Sequence, residues 1–345
     1  MTKIGIIGCG KIAQVRHIPE YLENKDACLA GFYDLNVDRA KELAKKYDAK
    51  FYISYEELLA DEEIEAVSVC AANSAHAEIT IAALNAGKHV LCEKPMATTL
   101  EECEAMVEAS RRNGKILMID QNQRLAKAHV EAKRMLQEDV IGDVITFRTT
   151  FGHGGPETWS IDPGKNTWFF DSKKAVMGAM ADLGIHKTDL IQYLTSEKVV
   201  ETTAYLATLN KRDINNHLIG VDDNAICIYK MSGGIVGTMT ASWTYYGAED
   251  NSTILYGTKG IMRIYDDTDH AIVVIAKDGT RTEYDVEAIQ TNDNQTSTGI
   301  IDLFMESVEE GKEPAISGES VLTAMRAVFA SIEASKKGIS IKIEQ

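Results

Sequence analysis

The stretch IGIIGCGKIA, residues 4–13, carries an apolar run into a glycine-rich turn. An apolar strand, Ile4–Ile7, runs directly into Gly8-Cys9-Gly10-Lys11-Ile12-Ala13, the pattern G-x-G-x-x-G/A, at the opening of a helix. Gly8 allows the tight turn, Gly10 lets the backbone approach a pyrophosphate, and a small Ala13 lets helix and strand pack closely. The loop residues Gly8, Gly10, Lys11 and Ile12 are therefore candidate cofactor contacts. An acid about 20 residues further on, at the end of the second strand, completes such a pattern, and AGFYDLN places Asp34 there. Its carboxylate would accept hydrogen bonds from a ribose 2′-hydroxyl and repel a 2′-phosphate, which favours NAD over NADP. Arg39, one helical turn on, keeps NADP possible.

Outward from this loop, short apolar runs alternate with helical patterns. Ile4–Ile7, Leu29–Tyr33, Ala66–Cys70, His89–Cys92 and Ile116–Ile119 read as strands, and VDRAKELAKKY, HAEITIAALNAG and TLEECEAMVEASRRNG read as crossover helices. The last two end in a glycine placed as a C-cap. Alternation of this kind predicts a doubly wound parallel sheet of the Rossmann type over residues 1–122. After residue 122 come a helix near Val130–Gln137, a Gly/Pro loop, a helix near Met177–Leu194 and a long β-rich region with hairpin turns such as Ser232-Gly233-Gly234. The expectation is an α/β protein whose second domain, 123–345, is α+β around a large, mostly antiparallel open sheet. A last helix, about 320–336, closes the chain and packs back toward the first domain.

The chain has 345 residues, 45% of them hydrophobic, with 36 Lys plus Arg against 52 Asp plus Glu, a net charge of -16. That charge repels phosphate backbones and anionic lipid heads, so nucleic-acid and membrane partners are not expected. No apolar run approaches the roughly 18 residues of a membrane span, and the N-terminus lacks a signal-peptide pattern, so a cytoplasmic protein is expected. The six cysteines show no C-x-x-C pairing, most lie in apolar runs, and they read as reduced and structural.

The run HVLCEKPMAT, residues 89–98, ends an apolar strand in Glu93 and Lys94, which a buried parallel strand would deliver to the sheet edge where ligands of open α/β sheets bind. With the glycine loop, the segment AANSAHAEITIAALNAGKHVLCEKP, the segment GAMADLGIHKTDL and the late LYGTKGIMRI, the chain resembles the glucose–fructose oxidoreductase / inositol dehydrogenase / rhizopine catabolism (Gfo/Idh/MocA) family over nearly its whole length. The resemblance implies that Lys94, Asp182 and His186 form the catalytic set, that Asn73, His76 and Glu93 border the cofactor, and that Asn122 is an amide directed at substrate. One departure stands out: many relatives carry a glycine run before this Asp-x-Gly-x-His core, whereas this chain has Ala175-Val176-Met177-Gly178.

The residues themselves support such chemistry. Asp182 and His186 are spaced i, i+4, one turn apart on a helix face. Oxidising a secondary alcohol with NAD needs a base of near-neutral pKa for the hydroxyl proton, a task that suits His186. Lys94 would stabilise developing alkoxide charge, and Asp182 would orient His186 or hold a neighbouring hydroxyl. For these groups to act together, folding must bring residues about 90 positions apart to one cleft. The loop 151–168 carries His153, Trp159 and Trp168, whose ring faces suit sugars, although the run Trp168-Phe169-Phe170 also suits a core. His89, His129 and His217 read as ordinary. No third ligand stands at metal spacing beside Asp182 and His186, and no metal is expected.

The leading expectation is an NAD-dependent dehydrogenase of a sugar, polyol or inositol-like alcohol. The alternatives are a sensor that keeps the cofactor fold without turnover, and an NAD-dependent glycoside hydrolase in which the hydride is returned. One face of the β-rich sheet, with GTMTASWTYY as the example, is expected to be too apolar to stay wet, which predicts a homodimer or homotetramer.

Overall fold

A computed structural model describes residues 1–286 and 297–344. The chain divides into two compact units. The first holds Met1–Asn122, Lys173–Val176 and a segment ending at Leu322; the second holds Gln123–Ser172, the stretch that begins at Met177, and the residues from Thr323 onward.

In the first unit, β1 (Thr2–Ile7), β2 (Ala27–Tyr33), β3 (Lys50–Phe51), β4 (Ala66–Val69), β5 (His89–Cys92) and β6 (Leu117–Ile119) form one sheet in the order β3-β2-β1-β4-β5-β6. Every pairing in it is parallel. Ile4, Ile6, Ile7, Val67, Val69, Val90 and Leu91 are all fully buried, because helices cover both faces and leave no strand face for water. The helices are α1 (Ile18–Glu23), α2 (Val37–Lys46), α3 (Tyr55–Ala60), α4 (His76–Asn85) and α5 (Leu100–Asn113). Their ends follow the local sequence. Asn36 accepts the Arg39 N–H at the start of α2, Thr99 and Glu102 form a reciprocal capping box on α5, and Gly114 ends α5 with φ of 59°. Strand order reverses between β1 and β4, so the crevice at their C-terminal ends lies beside Gly8 and Cys70.

The second unit contributes α6 (Lys127–Gln137), β7 (Val144–Gly152), α7 (Ile185–Thr195), β8 (Val199–Ala207), β9 (Asn224–Met231), β10 (Val236–Ser242), β11 (Thr253–Gly257), β12 (Gly260–Ile264), β13 (Ile272–Ala276) and β14 (Arg281–Tyr284). Then α8 (Ile300–Glu310) belongs to the first unit, where Glu20 of α1 accepts the Thr298 N–H and hydroxyl just before it. The chain closes with α9 (Gly318–Lys337) and β15 (Ile341–Lys342). The large sheet runs β14-β13-β12-β11-β7-β10-β9-β8-β15, and among the described residues its only parallel pairing joins β7 to β10. Its inner face buries Phe147, Tyr229, Met239 and Trp243, and Tyr229 hydrogen-bonds Thr188 of α7 at 2.9 Å.

Only the end of the stretch GTMTASWTYY, Tyr245 and Tyr246, presents large apolar groups to water. Strand alternation turns Met239, Ala241 and Trp243 inward, while Thr238 is exposed on the other face. The apolar groups on that outer face are Tyr205, Ile226, Ile228 and Val236, between 44% and 67% exposed. All six cysteines are free thiols, and only Cys28 is exposed. No described helix is long and apolar enough to cross a membrane.

Candidate active site

The glycine turn has the shape a dinucleotide needs. Gly8 has φ of 95°, and a Cβ there would lie 2.6 Å from the backbone of Cys70, so any side chain would push apart the ends of β1 and β4. A Cβ on Gly10 would meet nothing within 4 Å, which leaves its backbone bare toward open space. A helix begins at Lys11, so its first N–H groups point to the same place. Lys11 and Ile12 are half-buried, and Ala13 is fully buried. Asp34 is locked to this turn: one carboxylate oxygen accepts the Cys9 N–H at 2.6 Å and the other the Asn36 N–H at 2.6 Å. The loop thus fits a pyrophosphate and the acid a ribose. Because a fixed carboxylate repels a 2′-phosphate, Asp34→Ala is expected to narrow the preference for NAD over NADP. Steady-state kcat/KM for both cofactors checks this, and equal values in the unaltered protein would contradict it.

Three residues expected to border the cofactor already have partners within this unit. Asn73 donates to the Ala175 carbonyl at 3.0 Å. His76 lies against the carbonyls of Pro95 (2.7 Å) and Ala71 (3.0 Å), and burial lowers its pKa below the ordinary histidine value despite these acceptors. Glu93, almost fully buried, faces His17 at 3.1 Å and accepts the Lys94 N–H at 3.1 Å. Lys94 itself is half-buried and precedes a cis peptide to Pro95. Asn122 is half-buried at the end of this unit.

The second unit gathers the other candidates. Asp182 lies in a wide turn, Met180–Gly184, where the Ile185 N–H bonds the Met180 carbonyl five residues back, and α7 continues from there. Such π-turns are frequent at functional sites, and a second one, Ala13–His17, follows the glycine loop. Asp182 and His186 are each 6% exposed. An oxygen of Asp182 accepts the Trp243 indole N–H at 3.0 Å, which orients the carboxylate. A ring cluster surrounds the pair: Phe151 lies 6.1 Å from His186 and 5.9 Å from His153, and His153 meets Trp159 edge-on at 6.2 Å. Trp159 then meets Phe169, which stacks on Trp168 at 3.9 Å. Of the run 168–170, Phe170 is buried while Trp168 and Phe169 stay half-exposed. His153 accepts the Gly155 N–H on Nδ1, which puts the ring proton on Nε2. Next to His186, Lys187 is fully buried with its amine donating to the Asn251 carbonyl at 2.9 Å; burial brings its pKa down to about 7 against the pull of Asp250 and Glu249.

Two site-building residues gave no sequence signal. Asp222 accepts the N–H groups of Gly178 and Met180 at 2.8 Å each and so caps the turn that carries Asp182 from a loop 40 residues on. Trp243 holds Asp182 across 61 positions. The departure from a glycine run has a physical consequence here: Val176 adopts φ of 64°, a left-handed conformation that a β-branched residue enters at a cost of about 1–2 kcal/mol. Gly178 is the one position of Ala175–Gly178 that the fold requires to be glycine, since a Cβ there would lie 1.8 Å from the Asp222 carbonyl oxygen.

Comparison with known proteins agrees with this geometry. Residues 2–121 match the oxidoreductase family with an NAD-binding Rossmann fold, and residues 129–263 match the GFO/IDH/MocA C-terminal domain. The chain is 27% identical over 346 residues to myo-inositol 2-dehydrogenase of Thermotoga maritima, covering 99% of both chains. It is 29% identical to levoglucosan dehydrogenase of Pseudarthrobacter phenanthrenivorans over 73% of this chain and 70% of that one. An oxidoreductase domain protein of Kribbella flavida shares the fold across 100% of both chains, with a TM-score of 0.87 at 24% identity. Two adjoining matches spanning most of the chain, an open glycine turn with Asp34 locked against it, and an Asp-x-Gly-x-His turn leading into a helix place this chain in the NAD-binding Gfo/Idh/MocA oxidoreductase family.

Proposed function

We propose that the protein is a dehydrogenase that oxidises a secondary alcohol of a sugar, polyol or inositol-like molecule with NAD. The observation that carries this reading is the paired arrangement in the second unit: a buried Asp182 held by Trp243, His186 one turn on, and a half-exposed wall of Trp159, Trp168 and Phe169. Ring faces beside buried polar groups suit a molecule with apolar C–H faces and a rim of hydroxyls. NAD, held by the turn at Gly8 and Gly10 and by Asp34, would supply the acceptor for the hydride of the carbinol carbon. His186 takes the hydroxyl proton, Lys94 stabilises the alkoxide as it forms, and Asp182 receives a neighbouring hydroxyl. Carbon–hydrogen and oxygen–hydrogen bonds break, a carbonyl forms, and the proton passes from His186 to water. Relatives named as dehydrogenases of myo-inositol and levoglucosan support this substrate class. A panel of inositols, aldoses and sugar acids with NAD, followed as NADH, tests it; saturable turnover of at least one member is expected.

The oligomer belongs to the same reading. Tyr205 pairs with Ile226 across β8 and β9, and Ile228 lies two residues along, which makes a contiguous apolar strip on an open sheet face. A second copy of this chain is the proposed cover, giving a dimer or tetramer. Sedimentation at micromolar concentration is expected to show the assembly, and Ile226→Lys/Ile228→Lys is expected to shift it toward monomer. A monomer in the unaltered protein contradicts this.

A further inference from the structure

Behind the strand end that carries Lys94 lies a buried ionic network that the proposed chemistry does not use. His17 is fully buried, with Nε2 3.1 Å from Glu93 Oε1 and 3.5 Å from Asp120 Oδ2. Its Nδ1 lies 3.1 Å from the Ser68 hydroxyl, which also pairs with the Tyr21 hydroxyl at 2.8 Å. The Arg16 guanidinium stands 3.3 Å from the same Asp120 oxygen and 3.9 Å from Glu93. The ligand atoms of His17, Glu93 and Asp120 are all within 4.8 Å of one another, close enough for a metal ion. Arg16 already supplies a fixed cation to those two carboxylates, and a divalent ion added beside it would be repelled.

Two carboxylates, one guanidinium and one imidazole balance only when His17 is protonated, and an unbalanced buried charge is costly. Burial disfavours the imidazolium, but Cys70, Asp120 and Glu93 facing the ring raise its pKa well above the ordinary histidine value. Asp120 correspondingly stays ionised: Arg16 and His17 hold its carboxyl far below the usual range in spite of its burial.

The network reaches the reacting region through one side chain. Glu93 gives one oxygen to His17 and turns the other back onto the N–H of Lys94. On the far side of Lys94, His76 grips the Pro95 carbonyl at 2.7 Å. The backbone of Lys94 is thus held before and after by two buried histidines. We infer that His17 is a positioning residue for Lys94: through the Glu93 carboxylate it fixes the peptide from which the Lys94 amine is aimed at the substrate oxygen. This rests on Lys94 being the alkoxide-stabilising group.

The test is a double-mutant cycle on the full-length enzyme with a substrate from the panel. Lys94→Ala alone comes first: if kcat survives it, the catalytic reading fails and the inference falls with it. If kcat drops, His17→Asn, which removes the contact with Glu93, is expected to lower kcat roughly 10- to 100-fold, the scale of a small misplacement of a reacting group. NADH affinity by fluorescence titration is expected to change less than about threefold, since only uniform binding would move it. His17→Gln, whose longer amide reaches Glu93, is expected to recover most of the loss. In the Lys94→Ala background, His17→Asn should cost less than about twofold, because the two act as one unit. Where His17→Asn does not fold, Glu93→Gln replaces it in the same cycle. An equal loss of kcat with and without Lys94, or a parallel loss of NADH affinity, overturns the inference.

Discussion

Lys94→Ala and His186→Ala are each expected to lower kcat by roughly 10²-fold or more with little change in NAD affinity, the scale typical of charge-stabilising and general-base groups. In the proposed reaction the two residues serve opposite sides of one event: as the hydroxyl proton leaves toward His186, negative charge grows on the oxygen, and the Lys94 ammonium would meet it. Removing either leaves the other with a task it cannot complete, so Lys94→Ala/His186→Ala is expected to cost far less than the product of the single losses. Asp182→Ala should also weaken substrate use, through both the lost carboxylate and the unpartnered Trp243 indole N–H. Single-turnover kinetics with saturating NAD checks all four variants. Near-normal kcat in His186→Ala would remove the histidine from this role.

The second large effect lies in the turn that presents Asp182. Gly178→Ala would force a Cβ to 1.8 Å from the Asp222 carbonyl oxygen, a backbone atom that cannot swing aside, and would tear the Gly178 and Met180 N–H groups from the Asp222 carboxylate. A loss of about 3 kcal/mol or more is expected, at or beyond the usual range for overpacking. Two residues earlier the sign reverses. Val176 has φ of 64°, so Val176→Gly relieves left-handed strain, and after the entropy that glycine adds to the unfolded chain the net gain is about 0.5–1 kcal/mol. Thermal melts of the two variants should move in opposite directions. A Gly178→Ala melt that matches the unaltered protein would mean that Asp222 does not brace this turn.

Local rules made much of the fold legible. Glycine in a strand-to-helix turn, an acid at the next strand end, and glycine caps at Gly87 and Gly114 each depend on a few neighbouring residues, and the strand runs they bound pair in parallel, as expected. The two-residue strand β3 is not legible, because Lys50-Phe51 has no run to alternate, whereas α8 carries its helical period in sequence, with Ile300, Ile301, Phe304 and Met305 on one buried face. Within GTMTASWTYY, alternation alone does not say that Met239, Ala241 and Trp243 face inside; Trp243 points inward, where it bonds Asp182, a contact between residues 61 positions apart. The same separation hides Asp222 and the partnership of His17 with Glu93 and Asp120. Asp and His in isolation read as solvated or core side chains, and only the strand ends of β4, β5 and β6, brought side by side, give them a common centre.

Dehydrogenase turnover is read most directly from the stoichiometry of NAD reduction on a sugar or polyol that the enzyme converts. One NADH should form for each alcohol carbon converted to a carbonyl, and His186→Ala should slow both together. Saturable NAD and sugar binding with no reduction, or glycoside cleavage with no net NADH, would contradict it.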